Sequence, residues 1–164
     1  MLHYQIEFDD YRQHLMHVTV RFLANPTQVL SLPTWIPGSY LIREFSKHLE
    51  SVRAYDEAGR ILKIQKFAKN KWRLFNTDHE LITVEYDVYA YDLSVRGAYV
   101  DQTRLYVNPA CACLGLDGQE DKAIEVELFL PDELKHFQLA TGLAAKSLVK
   151  GRYTLKAKNY AELI

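Results

Sequence analysis

Six histidines, two cysteines and 21 acidic residues supply the raw material for metal binding or acid–base chemistry, so their spacing is the first question. His14 and His17 stand three apart, which on a strand sends them to opposite faces. His79-Glu80 begins the zincin pattern H-E-x-x-H, but Leu81, Ile82 and Thr83 follow and the second histidine is missing. Cys111 and Cys113 offer two thiolates with no second pair at finger spacing. In an extended chain the two point to one face about 7 Å apart, near or beyond the reach of a disulfide, and they read as free buried thiols suited to a reducing compartment. No G-x-S-x-G, P-loop or dinucleotide glycine pattern occurs, and Ser31, Ser39, Ser46, Ser51, Ser94 and Ser147 lie in no context that favours a nucleophile. The residues predict no catalytic group, no metal ligand and no cofactor in this chain.

Two segments mix polar and aromatic side chains without a plain period. One is Leu32-Pro33-Thr34-Trp35-Ile36-Pro37-Gly38-Ser39-Tyr40-Leu41-Ile42-Arg43-Glu44-Phe45, and the other runs over residues 94–109. Each reads either as an ordered loop whose Arg and Asp satisfy backbone groups or as a binding or docking surface, and the residue types leave both readings open. Tyr86, Tyr89, Tyr91, Tyr99 and Tyr106 suggest a stacking platform for sugars or bases, yet without basic residues between them cross-strand packing is favoured.

The elements that must position these segments are strands. Leu2, Tyr4, Ile6 and Phe8 alternate with polar neighbours, as do Met16 to Phe22, Ile82 to Ala90, Ile124 to Leu130 and Tyr153 to Ala157. Shorter β-rich runs cover residues 28–35, 49–55, 61–66 and 70–75, with a hairpin loop at Asp56-Glu57-Ala58-Gly59 and a type II turn at Ile36-Pro37-Gly38-Ser39. Ser39 is placed to cap a short helix with Leu41, Phe45 and Leu49 on one face, although the segment also suits entry into a strand. The predicted fold is all-β: an antiparallel β-sandwich or a saddle-like pair of curved sheets, with at most one or two short helices.

The 164 residues, 48% hydrophobic and 25% charged with a net charge of −1, fit one domain able to bury its own core. A near-neutral balance gives no electrostatic footprint for nucleic acid or anionic lipid, and no apolar stretch approaches a membrane span or a signal peptide. Neither nucleic acid nor a membrane is therefore expected as a partner, and the location suggested is cytoplasmic.

At the two irregular segments the sequence resembles the N-terminal domain of the glycyl-aminopeptidase family of zinc metallopeptidases, family sixty-one in the peptidase classification. The resemblance rests on the 32–45 block, on Val95-Arg96 with Tyr99, Asp101, Arg104 and Asn108, and on the closing Asn159-Tyr160-Ala161-Glu162-Leu163-Ile164. It implies that residues 1–164 form a single non-catalytic N-terminal β domain. A thermolysin-like catalytic domain bearing zinc and then a PDZ domain would lie downstream, and this chain alone would be inactive. The resemblance also implies that the domain docks on the catalytic domain of the same polypeptide and helps hold the free amino group of a peptide substrate. On that analogy Asp101 pairs the ammonium and Gln102 or Asn108 hydrogen-bonds it, within a segment that includes Arg96 and Tyr99. The structural alternative is an Arg96–Asp101 ion pair that stabilises the loop, and the functional alternative is a free-standing protein- or carbohydrate-binding module. A domain that docks should expose an apolar or aromatic patch.

Overall fold

A strand with one face on the core and the other in water alternates apolar and polar side chains, and such strands build most of this molecule. The computed structural model describes residues 1–37, 39–76 and 78–164. In chain order the strands are β1 (Leu2–Glu7), β2 (Leu15–Leu23), β3 (Val29–Ser31), β4 (Leu49–Asp56), β5 (Ile61–Leu62), β6 (Ile64–Ala68) and β7 (Lys71–Leu74). There follow β8 (Leu81–Tyr89), β9 (Ala98–Val100), β10 (Leu105–Val107), β11 (Gly115–Leu116), β12 (Ile124–Phe129), β13 (Ala144–Val149) and β14 (Arg152–Ala157). Two single-turn helices complete the chain, α1 (Pro109–Ala112) and α2 (Tyr160–Leu163).

Eight strands make the main sheet in the order β13-β14-β12-β1-β2-β8-β4-β5, four make a second sheet in the order β11-β3-β7-β6, and β9 and β10 form a hairpin. In the main sheet Leu155, Val126, Tyr4, Val20, Val84 and Ala54 lie in one row across six strands, and every one is buried. Leu30, Trp72, Leu74 and Leu116 of the second sheet join the same buried cluster, so the two sheets share a core. The opposite face of the main sheet is polar, with His17–Asp87 at 2.9 Å and Arg152–Glu127 at 3.2 Å between neighbouring strands and Lys146–Glu125 at 2.6 Å reaching from β13 across β14 to β12. Apart from the buried Glu125, the residues of these pairs are exposed or half-exposed, and such pairs set register more than they add stability.

The five alternating runs all appear as strands, and His79 and Glu80 stand just before β8 as residues leading into it. The hairpin at Asp56 forms as expected, with Gly59 at φ +77° and Asp56 accepting the Arg60 N–H at 2.8 Å. One feature differs from the sequence reading. β1 pairs with β12 in parallel, so the main sheet is mixed and not purely antiparallel. Of the two readings open for the segment after Ser39, the helix does not form and the entry into a strand does: the chain stays irregular until one 3₁₀ turn at Phe45–His48 feeds directly into β4. Leu41 is exposed while Phe45 and Leu49 are buried, so these three share no face. The polar groups of the segment account for the difference. Trp35 donates to the Ser39 carbonyl at 2.8 Å, the Ser39 hydroxyl donates to Leu41 O at 2.8 Å, and Arg43 Nε donates to Ser39 Oγ at 3.2 Å, a web incompatible with a helical ladder. The type II turn expected at Pro37-Gly38 involves Gly38, which lies outside the described residues. No helix among the described residues is long and apolar enough to cross a membrane.

Candidate functional site: the 96–108 hairpin and its anchor

The segment singled out by sequence folds as the β9–β10 hairpin followed by α1. Leu105 pairs with Val100, Tyr106 with Tyr99 and Val107 with Ala98. The four-residue turn is written into Asp101-Gln102-Thr103-Arg104, because an aspartate can accept from the backbone two and three residues ahead. Asp101 Oδ1 accepts from the Thr103 amide at 2.6 Å, the Thr103 hydroxyl at 2.7 Å and the Arg104 amide at 3.0 Å, while Oδ2 accepts from the Tyr99 hydroxyl at 2.9 Å. These bonds, led by that from the Thr103 hydroxyl, hold the carboxyl down at about 2, below the ordinary aspartate value. The hydrogen bond from Tyr99 to the Asp101 carboxylate pushes the Tyr99 phenol up.

The five candidate residues are therefore brought onto one hairpin and its two flanks. Asp101 is anionic at the turn, with Oδ1 filled by three donors and Oδ2 by one. Gln102 is exposed at the tip. Asn108 caps α1, its side chain accepting from Ala110 N at 3.1 Å with Pro109 in the first helical position. Arg96 contributes its backbone, the carbonyl accepting from the Cys111 thiol at 3.1 Å and the amide donating to Ser94 Oγ at 3.3 Å. The aspartate is held by the turn and by Tyr99, and the Arg96–Asp101 ion pair is not among its contacts.

What sequence reasoning missed is the anchor beneath the hairpin. Residues 110–116 are buried without a break, in a stretch where one helical turn gives way to irregular chain and then to the two residues of β11. Buried backbone that leaves a regular ladder needs other partners, and three tyrosine hydroxyls provide them. Tyr86 OH donates to Ala112 O at 2.8 Å and accepts from Leu114 N at 3.1 Å, Tyr4 OH donates to Leu114 O at 2.6 Å, and Tyr160 OH donates to Cys113 O at 2.7 Å. Tyr86 is thus a buried brace and neither a stacking platform nor simple cross-strand packing. Burial raises all three phenols well above their ordinary value, so they stay neutral donors. Cys111 and Cys113 are free and buried as expected, on and just after a helical turn and not on an extended strand, and burial pushes both thiols up to about 12. The closing segment supplies the third brace: Asn159 caps α2 by accepting from Glu162 N at 2.9 Å, and Leu163 is buried.

Beside the hairpin, Tyr91 stacks on Tyr99 with ring centroids 5.4 Å apart, and His14 lies 4.0 Å from Tyr91. His14 Nδ1 meets the Val100 carbonyl at 2.8 Å, and since a carbonyl only accepts, this nitrogen carries the proton. Tyr89, Tyr91, Leu93, Val95 and Tyr106 expose apolar surface around the hairpin, Val95 at 80%. The 35–42 loop exposes Trp35, Tyr40, Leu41 and Ile42, Tyr40 completely. No group of three or more His, Cys, Asp or Glu among the described residues is placed to hold a metal ion, so the donor set here does not fit a zinc site.

Residues 3–164 match the family model for the peptidase M61 N-terminal domain. The chain belongs to the peptidase M61 N-terminal domain family. Among solved structures, this M61 domain superposes on an aminopeptidase N family protein from Idiomarina loihiensis with a TM-score of 0.93 and 41% identity, over 100% of the domain and 28% of that protein. The M61 domain thus spans little more than a quarter of that relative. An M1 zinc metallopeptidase mutant from Deinococcus radiodurans aligns over 94% of the domain and 36% of its own length, at 13% identity and a TM-score of 0.40. A two-domain M1 zinc metallopeptidase mutant bound to L-arginine gives 13% identity and a TM-score of 0.41 over 96% and 37%. No curated protein matches the chain.

Proposed function

We propose that this chain is the non-catalytic N-terminal domain of a zinc-dependent aminopeptidase, that it docks on a catalytic domain of the same polypeptide, and that its 96–108 hairpin shapes the place where the substrate's amino terminus binds. The observation that carries this reading is the whole-domain match to the Idiomarina loihiensis aminopeptidase N family protein, of which the domain is only 28%. Zinc, the catalytic base and a PDZ domain belong, on this reading, to the remainder of the parent. The exposed apolar residues Tyr40, Leu41 and Ile42 of the 35–42 loop and Leu93 and Val95 beside the hairpin are the natural docking surface, because an anchored loop that presents consecutive apolar side chains to water gains free energy by burying them. Two unpaired buried thiols suit a reducing compartment, which supports a cytoplasmic parent.

Asp101 is the group of the hairpin suited to an ammonium. Its carboxylate is ionised at neutral pH, Oδ2 has one acceptor direction beyond the Tyr99 bond, and the turn fixes its orientation. Asp101→Asn removes the charge while its amide oxygen still accepts from Thr103 and Arg104, so the turn survives. In the full-length enzyme this variant should raise KM for free-amino peptides by about tenfold, as expected for loss of a charge-assisted hydrogen bond, with kcat little changed. Unchanged KM, or an equal loss on amino-blocked peptides, would assign Asp101 to the turn alone.

A further inference from the structure

Among the described residues a second feature of the hairpin has no role in its own fold. Val100 N donates to Ala90 O at 2.9 Å and Asp92 N donates to Ala98 O at 2.9 Å, so Ala98 and Val100 direct their backbone groups away from β10 and towards the 90–92 stretch. Tyr99 then faces Tyr106 across the hairpin, and by the alternation of an antiparallel ladder Leu105 and Val107 must direct their N–H and C=O groups to the opposite side. No strand among the described residues pairs there. An apolar groove of about 530 Å³ borders that side, with Ile6, Val126 and Leu128 of the main sheet, Phe137 and Leu163 among the residues that line it. Leu105, Tyr106 and Val107 all line it in succession, which is how a strand meets a cavity with its edge and not with one face. The two ends of β10 differ in their charged neighbours. Glu162 of α2 lines the end where α1 follows Val107, because Tyr160 of the same helix binds Cys113 and Cys113 N in turn binds Pro109 O. Arg104 precedes Leu105 at the other end.

We propose that β10 is a docking edge for a separate extended peptide, which adds as a third, antiparallel strand to the hairpin and drops alternate apolar side chains into the groove. The peptide pairs with the backbone of Leu105 and Val107. An antiparallel strand places its amino end beside Glu162 and its carboxyl end beside Arg104, so the preferred peptide is basic at the first end, apolar at alternate positions, and acidic at the second. The volume is within the range of ligand sites and takes a few side chains, not a folded domain. This inference does not depend on the peptidase reading, since it concerns binding by this chain alone.

The test is titration of the ¹⁵N-labelled chain with the heptapeptide lysine-valine-threonine-leucine-threonine-valine-aspartate. Saturable binding with a Kd below about 100 μM is expected, with amide exchange at Leu105 and Val107 slowed by about tenfold or more. Val107→Pro deletes an N–H that faces away from β9, together with a side chain that lines the groove and packs on the core, and should weaken binding by about tenfold or more. The same peptide N-methylated on its central leucine should lose binding equally against the unaltered protein, which keeps the result meaningful if the proline variant does not fold. A peptide with the two charged ends exchanged should bind several-fold more weakly. Absence of saturation at millimolar peptide, full binding by the N-methylated peptide, protection along β13 in place of β10, or association of the chain with itself through β10 would each overturn the proposal.

Discussion

Tyr86→Phe should lower the unfolding free energy by about 3 kcal/mol, although it removes a single oxygen atom and leaves the packing volume almost unchanged. The Tyr86 hydroxyl serves two backbone groups at once, donating to Ala112 O and accepting from Leu114 N, and all three residues have no exposure to solvent. Deleting it strands a buried N–H and a buried C=O, at about 1–3 kcal/mol each. Tyr4→Phe removes one donor to the Leu114 carbonyl and should cost less, about 1–2 kcal/mol, because a lone carbonyl tolerates the loss better than an amide. Denaturant titration of the two variants at unchanged m-value checks the order. A neutral Tyr86→Phe would mean that another group takes over and that the hydroxyl brace is not what holds residues 112–114.

Gly115→Ala should be comparably damaging for a different reason. A Cβ at Gly115 would stand 2.9 Å from Cζ and 3.0 and 3.2 Å from the two Cε atoms of the Tyr160 ring. The ring lies across the glycine to bring its hydroxyl to Cys113 O, so it cannot yield without breaking that bond. Overpacking and the orphaned carbonyl together should cost about 2–4 kcal/mol, or a fall in Tm of roughly 6–12 °C for a domain of this size. Because both substitutions act on the same hydrogen bond, Gly115→Ala combined with Tyr160→Phe should cost clearly less than the sum of the two. Strict additivity would show that the glycine serves some contact other than Tyr160.

The long strands were legible because burial on one face imposes a period of two, and β1, β2, β8, β12 and β14 carry it without interruption. β13 has hardly any buried position and so no alternation to read. The parallel partnership of β1 with β12 joins residues more than a hundred positions apart and has no local signature. The site was legible as residue types and not as roles. The turn at Asp101 could have been found from Asp-x-Thr-Arg, an aspartate followed by donors at two and three residues, and the cap at Asn108 from the Asn-Pro pair. The tyrosine brace could not, since Tyr4, Tyr86 and Tyr160 converge on residues 112–114 only after the sheet has formed.

The most direct measurement is a paired assay of zinc content and turnover of aminoacyl reporter substrates, on this chain and on a longer polypeptide that carries it together with the parent's catalytic domain. The account predicts neither stoichiometric zinc nor turnover for residues 1–164, since no cluster of ligands among the described residues can seat the ion, and chelator-sensitive hydrolysis by the longer protein. Chelator-sensitive turnover by the 164-residue chain itself, or a longer protein that holds zinc and cleaves no aminoacyl substrate, would contradict it.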